Sequence, residues 1–225
     1  LILNEVLDAL PVDRVRQGKA GLEEIRVGLD GERFVEIAVP AHAGLRDQLD
    51  ACLNPYGMTL EPGQETELRP GLAEFLAAAG RRIGSGYLLV IDYALEPKSL
   101  YAAWRAQGTL LAYHRHRATT SLLERVGEQD LTAHVDVTAV ERATAAAGLD
   151  HVATTTQGPF LADLGAGDLL VGLQDGPEAD LQSYLEARSA LVRMIDPAAM
   201  GKFAVMVFGR RLPPDATLRG LRAPG

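Results

Sequence analysis

Asn4, Glu5 and Asp8 set an amide and two carboxylates around a single turn, directly after the apolar run Leu1-Ile2-Leu3. Fixed carboxylates at this spacing suit two tasks: gripping a planar cation through bidentate hydrogen bonds, or general acid and base work. Asp92 and Tyr93 repeat the pattern at the end of GYLLVIDY (86–93). In an open α/β sheet the ligand crevice lies beyond the carboxyl ends of the strands, so both polar tips are candidate site residues. Glu5 and Asp8 could equally cap a following helix, and spacing alone leaves both readings open.

A second set centres on histidine. His114 and His116 stand two residues apart, on one face of an extended backbone, and His134 and Asp136 repeat that spacing. Four such ligands suit zinc or iron, but no H-E-x-x-H or related spacing sharpens the case, and the expectation is that no metal is held. Asp130, Thr132, His134 and Asp136 crowd one short segment, dense enough for a substrate-binding loop. The same segment also reads as a helix N-terminus capped by Asp136. LADLGAGDLL (161–170) lacks a preceding strand and a third glycine, and Gly84-Ser85-Gly86 precedes its strand, so neither is a phosphate or cofactor cradle. There is no serine elbow, and Cys52 has no obvious histidine partner, which leaves nucleophilic catalysis little support.

Positioning these groups requires a layered fold. Polar tips on Leu1–Asn4 and GYLLVIDY predict buried parallel strands, and Asp30-Gly31 between alternating segments predicts a hairpin over 22–39. Apolar spacing predicts helices over 41–53, 70–83, 137–147 and 177–195. HVATTTQ (151–157) and KFAVMVFG (202–209) predict a closing antiparallel pair, and 109–114 a short strand. The order is that of an α/β sheet with helices on its faces.

The chain has 225 residues, and 22 basic against 30 acidic side chains leave a net charge of −8. That balance argues against nucleic acid and anionic membrane surfaces as partners, and favours small molecules or a basic protein segment. A single cysteine excludes an intramolecular disulfide and fits a reducing compartment. The apolar runs are too short to cross a bilayer. No signal or transit peptide precedes Leu1, and the opening reads as a cut rather than a natural start.

Several stretches together resemble the MidA-like family of S-adenosylmethionine-dependent methyltransferases, related to the mitochondrial assembly factor that methylates an arginine of a respiratory complex I subunit. They are NEVLDALPV (4–12), GYLLVIDY (86–93), GTLLAYHRH (108–116), DLTAHVDVT (130–138), TQGPFLADLG (156–165) and MGKFAVMVFG (200–209). The resemblance covers the later part of such a protein and implies the fourth to seventh strands of a Rossmann-like sheet. Residues 1–21 and 84–225 would form that domain and 22–83 an antiparallel and helical insert. It implies S-adenosyl-L-methionine as cofactor, bound mostly by residues upstream of Leu1, and arginine methylation of a protein partner.

On that reading Glu5, Asp8 and Asn4 are the catalytic candidates. His116, Asp130, Thr132, His134, Asp136, Asp92 and Tyr93 are the substrate-binding ones. A catalytically inactive assembly module on the same scaffold is the alternative, and a metal-dependent hydrolase using His114, His116, His134 and Asp136 is a third reading. The compartment implied is the bacterial cytoplasm, or the mitochondrion in a eukaryote, and a homodimer is among the states allowed. Where relatives carry glycine after the IDY triplet this chain has Ala94, which would be strained if the backbone there needed a positive φ.

Overall fold

A computed structural model describes residues 1–115, 117–175 and 181–221. In chain order it forms β1 (Ile2–Asn4), β2 (Asp13–Gly18), β3 (Gly21–Asp30), β4 (Arg33–Pro40), α1 (Ala43–Leu53), β5 (Glu65–Leu68) and α2 (Leu72–Arg81). There follow β6 (Gly86–Asp92), β7 (Ala94–Leu95), α3 (Pro97–Leu100), β8 (Leu111–His114), β9 (Arg117–Thr119), β10 (Asp130–Thr132), β11 (Val135–Asp136) and α4 (Val137–Ala146). The chain closes with β12 (Asp150–Thr156), α5 (Gln157–Asp163), α6 (Ala166–Asp175), α7 (Leu181–Ile195) and β13 (Ala204–Arg210). Among the described residues no helix is long and apolar enough to cross a membrane.

Contacts divide the chain into two compact units, 1–4 with 83–92 and 149–225, and 5–82 with 93–148. The expected division drew 22–83 alone as an insert; by contact, residues 5–21 and 93–148 go with it. The cause is pairing: β2 hydrogen-bonds both β3 and β5, which ties 13–18 into the insert's sheet.

The first unit is a sheet in the order β1-β6-β13-β12. β1 and β6 run parallel, and β13 is antiparallel to both β6 and β12. The expected closing pair is therefore present. KFAVMVFG forms the inner strand, with every residue from Ala204 to Gly209 buried, while the threonine-rich β12 lies at the edge. β1 differs from expectation: Leu3 is buried but Ile2 is exposed, so the run is covered on one face only. β6 buries Leu88, Val90 and Asp92 completely and turns Tyr87, Leu89 and Ile91 toward a cluster of Phe160, Val205 and Val207. Of the helix expected over 177–195, residues 177–180 lie outside the described residues; α7 begins at Leu181.

Two glycines, of TQGPFLADLG and MGKFAVMVFG, have a steric reason in this unit. A Cβ on Gly158 would stand 2.7 Å from the Ile195 carbonyl oxygen, and one on Gly201 would overlap the same atom. The buried Gln157 completes the grip on this helix end, donating from Nε2 to the Met194 carbonyl at 3.1 Å. The last turn of α7 is held by close backbone approach and one carboxamide.

The second unit contains the four-stranded sheet β4-β3-β2-β5, the small sheet β10-β8-β9 and the parallel pair β11-β7. One face of the larger sheet packs Val15, Leu22 and Leu68 against Leu45, Leu49 and Leu53 of α1. The hairpin closes on the pair Asp30 and Arg33, so Gly31, at φ 61°, and Glu32 make its turn. Ala94 takes no positive φ and lies in β7, so its lack of glycine's freedom costs nothing.

Gly158→Ala is expected to destabilise the protein by about 1–3 kcal/mol through overpacking against a backbone atom that cannot rotate away. Urea unfolding measures it. A neutral effect would mean that α7 is not seated as described.

Candidate active site

In the second unit, a buried arginine assembles the candidate residues. Arg69, 8% exposed, follows β5. Its guanidinium donates to the carbonyls of Leu7 at 3.0 Å and Asp8 at 3.4 Å on one side, and to those of His134 at 2.7 Å and Ala133 on the other. The fork geometry of a guanidinium makes this multiple donation feasible. The Ala133 N–H adds a bond to the Asp8 carbonyl at 3.2 Å. Segments remote in sequence, 7–8 and 133–134, are thereby fixed side by side.

A second device sets the neighbouring turn. The buried Glu67 carboxylate accepts the backbone N–H groups of Thr109 and Leu110 at 3.0 and 3.1 Å, and the Thr109 hydroxyl at 2.9 Å. The Thr109 oxygen in turn accepts the His134 N–H at 2.9 Å. Gly108 sits at φ 66°, and a Cβ there would overlap the Glu67 carboxylate, which gives the glycine of GTLLAYHRH its reason.

On this frame the acidic turn separates its two carboxylates. No helix follows Glu5 and Asp8, so the capping alternative falls: residues 5–12 form turns leading into β2. Asp8 is buried, and its Oδ2 accepts the Thr132 hydroxyl at 2.7 Å. Glu5 is exposed and holds a left-handed backbone at φ 48°. For a residue with a Cβ that conformation costs about 1 kcal/mol and persists where the surroundings dictate it.

Tyr93 joins the group. Burial pushes its phenol up to about 12, helped by the charges of Glu5, Tyr113 and Asp8 and by a hydrogen bond to the Glu5 carboxylate. The His134 ring stands edge-on to Tyr93, with centroids 6.2 Å apart. Glu5, Asp8, Tyr93, Thr132 and His134 thus form one neighbourhood, with Tyr113 beside it. Its chemical character is an exposed carboxylate backed by a buried one and flanked by aromatic rings. Such a site suits a planar organic cation.

The remaining candidates are placed elsewhere. Asn4 and Asp92 belong to the sheet unit, at the carboxyl ends of adjacent parallel strands: Asn4 is exposed opposite Ile91, and Asp92 is fully buried opposite Ala204. Asp130 is exposed on β10, paired with Tyr113. Asp136 uses both oxygens internally, taking the Tyr101 hydroxyl at 2.9 Å and, as the cap of α4, the Ala139 N–H at 3.0 Å. Burial, with the adjacent Asp136 charge, holds the Tyr101 phenol far above the usual tyrosine range.

His116 lies outside the described residues. His114 bonds the Glu128 carbonyl through Nδ1 at 2.8 Å, which is a structural use. Among the described residues no three His, Cys, Asp or Glu side chains are placed to share a metal ion. The buried Cys52 thiol is pushed up by burial and lies 3.6 Å from an Arg142 nitrogen, so it is a poor nucleophile. Arg69 and Glu67 were not singled out by sequence, because isolated charged residues carry no spacing signal.

Comparison with known proteins gives this geometry a context. The family model described as "Putative S-adenosyl-L-methionine-dependent methyltransferase" matches residues 1–155. A structure from Burkholderia thailandensis, a "likely methyl transferase" bound to S-adenosyl-homocysteine, is similar with a TM-score of 0.86 and 32% identity, covering 97% of this chain and 55% of that one. An uncharacterized protein of the same superfamily and organism gives 0.84 and 32%, with coverages of 97% and 56%. The chain therefore spans just over half the length of these structures. No curated protein matches it.

Arg69→Met is expected to cost on the order of 3 kcal/mol, because carbonyls in a buried place lose their charged donor. Arg69→Lys should not restore it, since one ammonium lacks the fork. Denaturant unfolding of both variants checks this. For Tyr93 the folded pKa lies above the unfolded value, so its neutral form contributes stability that is full below the unfolded pKa of about 10 and is lost as pH rises toward about 12. The ultraviolet phenolate titration, taken as wild type minus Tyr93→Phe, should show that high midpoint and move down in Glu5→Gln.

Proposed function

The chain belongs to the S-adenosyl-L-methionine-dependent methyltransferase family, and from that premise we propose that it is the later part of a MidA-like protein methyltransferase whose acceptor is arginine. The observation that carries the acceptor is Glu5: an exposed carboxylate held in a left-handed turn beside Tyr93 and the buried Asp8. The order β1-β6-β13-β12, with β13 antiparallel, supports reading these strands as fourth, fifth, seventh and sixth in a Rossmann-like sheet. Ligands of such sheets lie beyond the carboxyl ends of the strands. Asn4 and Asp92 stand at two such ends.

When bound, the cofactor would supply an electrophilic methyl group on a sulfonium. The protein's part is to present the nucleophile. Glu5 accepts two guanidinium N–H groups in a bidentate bond, which fixes the plane of the cation and draws positive character away from the attacking nitrogen. Asp8, tied to Thr132, contributes a fixed negative field from behind. Tyr93 stays neutral throughout the physiological range and offers a ring face to the cation. The His134 imidazole would take the proton that the methylated nitrogen releases. The net charge of −8 suits a basic protein segment as substrate.

In the complete protein, Glu5→Gln is expected to lower methyl transfer to an arginine peptide by about 100-fold or more, the scale of losing one preorganised charged contact. Calorimetric affinity for S-adenosylmethionine should change little. Unchanged turnover would remove Glu5 from the mechanism, and loss of cofactor affinity together with turnover would reassign it to the cofactor.

A further inference from the structure

The hairpin of β3 and β4 carries apolar side chains that its own sheet leaves uncovered. Val27 is 60%, Leu29 66% and Phe34 46% exposed. Leu29 pairs with Phe34 and Val27 with Glu36, so these side chains share one face of the hairpin. Across from this face runs the segment between β9 and β10. A cavity of about 700 Å³ and a second of about 200 Å³ lie between them. Both are lined by Val27, Leu122, Leu123 and Leu131, which makes them one continuous groove. Its size falls in the range of roughly 300–1,000 Å³ typical of ligand sites.

Two features say what the groove accepts. Its larger part is lined by Asp8, the buried carboxylate of the candidate site, so groove and site share that residue. Its charged lining has four carboxylates, Asp8, Asp13, Glu24 and Glu36, against two guanidiniums, Arg14 and Arg26. Both guanidiniums are already held by carboxylates, Arg14 by Glu36 and Glu65 and Arg26 by Glu24. The field over an apolar floor is therefore negative, which favours a basic occupant with large apolar side chains. At the narrower end, Gln129 anchors the wall by donating to the carbonyls of Ser121 and Leu122.

We propose that this groove binds the stretch of the substrate protein adjoining the methylated arginine, an extended segment with leucine- or phenylalanine-sized side chains next to its basic residue. The assignment rests on the arginine methyltransferase reading of the site, because Asp8 is common to both. Hairpin face and facing loop would clamp the apolar side chains while the guanidinium reaches the acidic turn. Selectivity would then come from what flanks the arginine.

The test uses the complete protein and two labelled 12-residue peptides, each with one arginine, flanked in one by leucine and phenylalanine and in the other by serine. Fluorescence anisotropy should show the wild type preferring the apolar peptide by at least about tenfold, what burying one large apolar side chain supplies. The double variant Val27→Asp/Phe34→Asp should bind both peptides alike, with circular dichroism and S-adenosylmethionine affinity as fold controls. Val27→Ser/Phe34→Ser serves if the charged pair fails those controls. A wild type without preference, or a well-folded variant that keeps it, overturns the groove. So does a dimer in sedimentation that the variant converts to monomer, since the face would then belong to a second copy. A lysine-for-arginine version of the apolar peptide that is methylated equally well would sink the arginine reading, while a retained binding preference would leave the groove standing.

Discussion

The second unit depends on one cation held by carbonyl dipoles. A guanidinium taken out of water is costly unless its donors find acceptors, and Arg69 finds them on backbone that comes from two remote parts of the chain. The consequence is positional. Leu7 and Asp8 cannot drift from Ala133 and His134 without stranding either the cation or the carbonyls. Side chains on those segments, the Asp8 carboxylate and the His134 ring, therefore inherit a fixed separation without having to bond each other. Backbone acceptors suit this role because they carry no proton that a change of pH could alter.

Glu67 works by the same logic with the signs reversed: a buried anion gathers backbone donors from the turn after Gly108 and passes order on through the Thr109 hydroxyl to the His134 N–H. The two charged residues lie close together in sequence, at the end of β5 and just after it. One short strand thus supplies both electrostatic anchors of the site. A hydrogen-bonded polar network in a region of low dielectric is stiff, and it holds the candidate residues in fixed places.

How much of this was legible followed the physical source of each element. Strands made by apolar burial announced themselves: GYLLVIDY and KFAVMVFG form β6 and β13, and Asp136 caps α4 as its position suggested. The charged strands β2 and β5 did not, because DRVRQG and ETEL are mostly polar and carry cross-strand ion pairs of Arg14 with Glu65 and of Arg16 with Glu23 and Glu65. Those pairs exist only once the strands meet. The acidic turn was visible as a cluster, but its spacing could not separate helix capping from a site. Only the fold shows that β2, not a helix, comes next, and that Glu5 faces solvent while Asp8 is buried. Arg69 stayed hidden because its significance is entirely tertiary.

The left-handed backbone at Glu5 also bears on the balance between robustness and activity. Glycine would occupy that turn without strain, at the expense only of chain entropy in the unfolded state, and would remove a like charge from beside Asp8. The protein is thus less stable at this position than its own fold permits. A search for more heat-resistant versions of the chain would be drawn to position 5 early, and the variants it rewarded there would have lost the carboxylate that hydrogen-bonds Tyr93.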